Sequence, residues 1–227
     1  TGVSADLLNS TMNVLYIDQA GLGMGNRDYY LDAGNQAFRD GYVQWLTKAF
    51  SLIGWEDAAA AAEKVLAFET KMAESFRSNV ALRDVTANYN ALTKADLLAK
   101  YPDFNWNVYF GQMGIGEFDK VIVGQPEVIE AVVGLYKNED IETVKTYLAA
   151  SVIASAAGYV GDELYAAHFE FFGRQMSGQQ EMRPRWKRAM AVPNRLLSEA
   201  IGQGAISINL KNISAGTSVV VCDANGK

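Results

Sequence analysis

Residues 14–30 read Val14-Leu15-Tyr16-Ile17-Asp18-Gln19-Ala20-Gly21-Leu22-Gly23-Met24-Gly25-Asn26-Arg27-Asp28-Tyr29-Tyr30, and they frame the rest of the chain. Val14 to Ile17 are β-favouring types, so a short strand is expected over about 13–18. Gly21, Gly23 and Gly25 then stop any continuation and predict a turn. The glycines match neither G-x-G-x-x-G nor the Walker pattern, so a turn is favoured over a phosphate loop. Residues 1–10 read as a lead-in.

Downstream, the pattern is helical to about residue 203. Asp32 is a candidate N-cap for a helix to Ile53, with Gly54 as its stop and Phe38, Tyr42, Trp45, Ala49 and Ile53 on its apolar face. A second helix is expected over 55–78, with Glu56 and Asp57 in its first turn and Val65, Phe68, Met72 and Phe76 as its stripe. Two helices joined by so short a turn should fold back on each other. Thr93 and Asp96 form a capping-box variant that opens a helix to Tyr101. Another short helix is expected over 104–113.

Lys120–Gly124 is the second strand candidate, and it should pair with Val14–Ile17, because a lone strand leaves backbone groups unpaired. Pro126 suits the first position of a helix to Lys137. Asp140 caps the next, whose stripe is Ile141, Val144, Leu148, Val152, Ser155 and Tyr159. Helical pattern continues over 162–172, where Gly173 should end it. A last helix over 183–203 contains Pro193, which should kink or split it. After Gln203 the character turns β-like. The expected fold is mainly α: an orthogonal or antiparallel helical array with one small two-stranded β element. It divides into a lobe over 1–203 and a β-like or irregular tail over 204–227.

Composition narrows function. The 227 residues carry a net charge of −6, with 49% hydrophobic and 20% charged residues, the balance of a globular chain. An acidic surface argues against nucleic acid or anionic membrane as a partner. No apolar run approaches the ~20 residues of a membrane span. The chain opens on Thr1, so a processed or cut polypeptide is expected. Cys222 is the single cysteine and His168 the single histidine, which leaves no internal disulfide, no multi-Cys zinc site and no H-E-x-x-H. His168 lies one turn from Leu164 and near Phe171 and Phe172, so a structural place is favoured over a catalytic one. Arg183, Arg185, Lys187 and Arg188 surround Trp186; a solvated helix face is favoured over an anion site. Asn9 and Asn212 stand in N-x-S/T triplets that carry little weight without a eukaryotic secretory route.

An ordered series of short motifs adds a resemblance. Ile17-Asp18-Gln19, Gly21-Leu22-Gly23 and Arg27-Asp28-Tyr29-Tyr30-Leu31-Asp32 come first. Arg83-Asp84, Tyr89-Asn90 with Thr93, Phe104-Asn105-Trp106 and Gln125-Pro126 follow. Tyr147-Leu148, Phe171-Phe172-Gly173 with Ser177-Gly178, and Arg185-Trp186-Lys187-Arg188 complete the series. The series resembles the neprilysin and endothelin-converting-enzyme family of zinc endopeptidases, in its bacterial form. The resemblance implies an enzyme about three times this length, with two helical lobes around a cavity. In that family the zinc ligands and catalytic glutamate lie beyond the Arg-Trp-Lys-Arg region.

The chain would then be the cavity-covering lobe, limiting which peptides enter. Its partners would be peptides and the catalytic lobe of the same enzyme, and its setting a bacterial envelope, periplasmic or secreted. No catalytic or zinc-binding residue carries over, substrate-binding residues stay unassigned, and zinc belongs to the full-length enzyme. Arg27, Asp28, Tyr29 and Tyr30 carry over only as a structural motif expected to fix the loop against neighbouring helices, and Arg185 and Trp186 are further structural motif candidates. Pro193 and the tail depart from the family's pattern. The alternative is a free-standing helical binding protein derived from such a lobe.

Overall fold

The computed structural model describes residues 1–202, which fall into two units, Thr1–Gln179 and a second that begins at Gln180. The predicted tail lies outside the described residues. The first unit is mainly helical and contains a four-stranded sheet.

The sheet is larger than the sequence pattern indicates. β1 (Gly2–Asp6) and β2 (Asn9–Ile17) form an antiparallel hairpin, so the lead-in is a strand. β2 pairs in parallel with β4 (Val121–Val123), Leu15 opposite Val121 and Ile17 opposite Val123, which meets the expected pairing. β3 (Asn90–Leu92) covers the other edge of β4, giving the order β1-β2-β4-β3. The correction from two strands to four has a physical reason. Val121, Ile122 and Val123 are all buried, and a buried strand must have both rows of backbone groups paired. Asn90-Ala91-Leu92 supplies the second row despite having no β-type alternation. Beneath the sheet, α4 (Lys94–Lys100) and α5 (Trp106–Gln112) contribute Leu97, Trp106 and Phe110 to a core shared with Leu15, Ile17 and Val123. The Thr93–Asp96 capping box forms in full.

A helical hairpin builds the second core. The glycine turn leads into α1 (Asp28–Leu31), and Asp32 caps a single 3-10 turn rather than the long helix. α2 then runs Gln36–Leu52 and α3 runs Ala58–Ser75, packed together as expected. Asp57 lies before the first turn of α3 as its N-cap, in a left-handed conformation, and its carboxylate accepts from the Ala60 amide. α6 (Pro126–Asn138) starts with proline at its first turn, and α7 (Ile141–Ala156) is capped by Asp140.

α7 overturns the predicted stripe, of which only Val144 is buried. Ile141, Leu148, Val152 and Tyr159 are 61%, 51%, 66% and 62% exposed, whereas Thr143, Val144, Thr146, Ala150 and Ile153 are buried. α7 packs on the alanine-rich α3, and Ala62, Ala150 and Ala157 all lie in that core. The small-residue face therefore turns inward, where it allows close approach. Its threonines satisfy themselves locally: Thr146 Oγ1 donates to the Glu142 carbonyl at 2.6 Å and Thr143 Oγ1 to Asp140 at 3.2 Å.

Gly173 does not end a helix either. α8 (Asp162–His168) passes directly into a π-helix, Phe169–Met176, with Gly173 inside it. A β-carbon there would come within 2.4 Å of the Phe169 ring, so the glycine serves ring packing. In the second unit, α9 (Arg185–Leu196) runs unbroken through Pro193, and the helix is interrupted instead at Leu197, four residues on, before it resumes over 198–202. The split expected at Pro193 is thus displaced toward the C-terminal end.

Candidate functional site

The glycine turn and its contacts with α3 form a buried polar arrangement in the first unit. Leu22 and Gly25 close the turn through paired backbone hydrogen bonds of 3.2 and 2.8 Å. This seats the loop on Glu69, which occupies the buried face of α3 and is 3% exposed. The Gly23 amide donates to Glu69 Oε1 at 3.2 Å, and the Tyr30 hydroxyl donates to Oε2 at 2.9 Å. Tyr30 in turn accepts from the Met24 amide at 2.9 Å, and the Tyr42 hydroxyl also hydrogen-bonds the carboxyl. Gly23 is required by close approach, since a β-carbon would stand 1.9 Å from the Tyr42 oxygen. Burial without a cation pushes the Glu69 carboxyl up to about 7, against the pull of its three donors. Desolvation and the neighbouring carboxyl push Tyr30 and Tyr42 well above the usual phenol range.

The predicted cluster splits among several tasks. Arg27 donates from Nη1 to the Phe76 carbonyl at 2.8 Å, tying the loop to the end of α3. Asp28 contributes its backbone carbonyl, which accepts from Asn35 Nδ2 at 2.9 Å. Tyr29 stacks edge-on against Phe38 at 5.3 Å, and its carbonyl accepts from Arg39. Tyr30 reaches the buried carboxyl. Arg185 and Trp186 lie on α9 in the other unit; Trp186 is 64% exposed, and the Lys187 ammonium lies 5.4 Å from its ring centroid.

A second polar knot joins sheet to helices through residues that the periodicity does not mark. Gln125 Oε1 accepts from the Gln19 amide at 2.7 Å, while Gln19 and Arg77 exchange backbone–side-chain bonds of 2.8 and 3.1 Å. Asn88 Oδ1 receives both Gln125 Nε2 and Arg77 Nη1, and Arg77 also pairs with Glu127. Between the knot and the glycine turn lies an apolar cavity of about 270 Å³. Gly21, Leu22, Met72, Phe76, Trp106 and Tyr147 are among the residues that line it.

Metal chemistry finds no footing among the described residues, where no three His, Cys, Asp or Glu side chains converge. The zinc that the resemblance implies does not fit any group of side chains seen here. His168 is half-buried, stacked on Phe172 at 4.4 Å and edge-on to Trp45 at 5.3 Å, and burial lowers its pKa. No helix among the described residues is long and apolar enough to cross a membrane.

The chain is similar to known peptidases throughout this region. The model of peptidase family M13 matches residues 1–209. Endothelin-converting enzyme 1 of Homo sapiens is 28% identical over 208 residues, covering 88% of this chain and 27% of that protein. Neprilysin-11 of Caenorhabditis elegans is 27% identical over 218 residues. The zinc metalloprotease Zmp1 of Mycobacterium tuberculosis, in its open state, superposes with a TM-score of 0.85 at 27% identity, over 92% of this chain and 33% of that one. PepO of Lactobacillus rhamnosis shares the fold with a TM-score of 0.75 at 19% identity. The chain thus spans about 28% of the length of the curated relatives it matches. With a family match that runs from the β-hairpin through α9 and beyond, this chain belongs to peptidase family M13.

Proposed function

We propose that this chain is the cavity-covering lobe of a neprilysin-like zinc endopeptidase: it limits which peptides enter and leaves the cleavage chemistry to the rest of the enzyme. The observation that carries the reading is the outer face of α7. Ile141, Leu148 and Val152, with Tyr159 just beyond the helix, stand exposed on an element whose other face is already buried. A helix already packed on one face that still exposes large apolar side chains, here beside the Glu142–Lys145 ion pair, fits a place inside a larger structure. The relatives are about three times longer than this chain, so they contain enough polypeptide to cover that face. The partner of α7 is then the remainder of the same enzyme, and peptides are the substrates of the whole. The same reading carries the expectation of a bacterial envelope or secreted setting.

The test is direct. The purified 227-residue chain should hold no stoichiometric zinc by elemental analysis and cleave no peptide in a chelator-sensitive way. Supplying the catalytic part of the enzyme should protect amides over 141–160 from exchange. Stoichiometric zinc with chelator-blocked cleavage by this chain alone would sink the reading, and so would unchanged exchange over 141–160.

A further inference from the structure

We propose that the Glu69 cluster is a proton-controlled latch on the Leu22–Gly25 turn: the neutral carboxyl keeps the turn seated on α3, and ionisation favours a conformer in which the turn lifts and water reaches the carboxylate. The geometry is that of a closed polar pocket without a counter-ion. The carboxyl is 3% exposed, and its hydrogen-bond partners are the Gly23 amide and the hydroxyls of Tyr30 and Tyr42. Four elements pack on α3 around it, and each presents a tyrosine: Tyr30 from α1, Tyr42 from α2, Tyr136 from α6 and Tyr147 from α7. No lysine, arginine or histidine is among the groups that shift Glu69, and Lys71 on the same helix pairs with Glu139 instead at 2.6 Å.

Burying an uncompensated charge is costly, and the cost is relieved by letting in water. The lid of this pocket is the Leu22–Gly25 turn, which is joined within itself by two backbone bonds. It is seated by the Gly23 and Met24 amides and the buried Leu22 and Met24 side chains, so lifting it must also expose those two side chains. By linkage, whichever conformer has the more acidic carboxyl gains population as pH rises. A lifted turn exposes Glu69 and returns it toward the ordinary glutamate value of 4.5, whereas the seated turn holds it near 7. Opening is therefore favoured progressively between those two values. Gly21 and Leu22 of the turn, with Met72 and Tyr147 beside the cluster, also line the 270 Å³ cavity, so lifting the turn removes one of its walls.

The experiment is a carboxyl ¹³C titration of Glu69 in the 227-residue chain, with amide exchange from pH 5 to 8 corrected for intrinsic rates. The Glu69 resonance should titrate near pH 7. Protection of the Gly23 and Met24 amides should fall by at least ~10-fold and up to ~70-fold across that range, while Val121–Val123 stay unchanged. Glu69→Gln should flatten the dependence. Tyr30→Phe, which removes one donor to the carboxylate, should move the midpoint higher. A midpoint below 5, flat protection in the parent chain, or the same slope in Glu69→Gln overturns the latch. Should Glu69→Gln fail to fold, the parent titration and exchange decide alone.

Discussion

α3 and α7 pack against each other and break the usual rule in opposite directions. α3 buries a carboxyl, and α7 exposes four large apolar side chains on or just beyond its end. The buried carboxyl is answered within the molecule by an amide and two hydroxyls. The exposed apolar face has no such answer among the described residues. A misplaced polar group is thus explained by what lies inside a fold, and a misplaced apolar face by what lies outside it.

The largest expected effect tests that inside–outside contrast. Phe68 on α3 is buried against Tyr136 and Tyr147, with ring centroids at 5.5 and 5.1 Å. Phe68→Ala should cost about 3–5 kcal/mol in urea denaturation. Equal losses from Phe68→Ala and from truncation on the outer face of α7 would erase the distinction.

Next comes pH. The folded Glu69 carboxyl is raised to about 7 from 4.5, so its stabilising contribution is complete below pH 4.5 and is lost as pH rises to 7. The difference in unfolding free energy between the parent and Glu69→Gln should change by about 3 kcal/mol across that window and stay flat above it. Reading the difference cancels groups common to both chains. Asp6, which the Lys120 hydrogen bond holds down at about 2, loses its contribution only at lower pH. A flat difference would show that the carboxyl is not held out of water.

Gly23→Ala is expected to cost about 1–3 kcal/mol, because the added carbon overlaps the Tyr42 hydroxyl and Glu69 and must displace one of them. Thermal unfolding reads it, and a neutral result would mean that the turn is already loose. The smallest effect belongs to α7. Leu148→Ser with Val152→Ser should shift the stability of the isolated chain by no more than about 0.5 kcal/mol per site, yet weaken its association with the catalytic part of the enzyme. Binding measured by calorimetry separates the two roles, and a large stability loss with intact binding would reverse the assignment of that face.

Much of the fold was legible because its signals are local. The Thr93–Asp96 box, Pro126, Asp140 and the Gly54 turn each act through their nearest neighbours, and each stands where the pattern put it. β3 was not legible, because its pairing partner β4 lies about 30 residues away and Asn90-Ala91-Leu92 has no β-type alternation. β1 was not, because Gly2-Val3-Ser4-Ala5-Asp6 has only one β-favouring residue, although its partner β2 is the next segment of the chain. The buried carboxyl left a mark that could be read. Ala62, Val65, Glu69, Met72 and Phe76 are spaced three, four, three and four, so a glutamate sits on the apolar face of α3. Arg77 and Asn88 left none, since their partners Gln19, Gln125 and Glu127 come from other segments.

The sequence by itself determined the helical class, the helical hairpin, the caps, the β2–β4 pairing and the resemblance to the peptidase family. All of these rest on spacing along the chain or on ordered motifs. Only the tertiary structure decided which face of α7 is buried. Periodicity ranks faces by hydrophobicity, but packing on an alanine-rich neighbour selects by size, so alanines and self-bonded threonines displaced the larger apolar side chains. It also decided what the glycine turn is for, because the contact between Gly23 and Glu69 spans 46 residues and exists only once α3 lies beneath the turn.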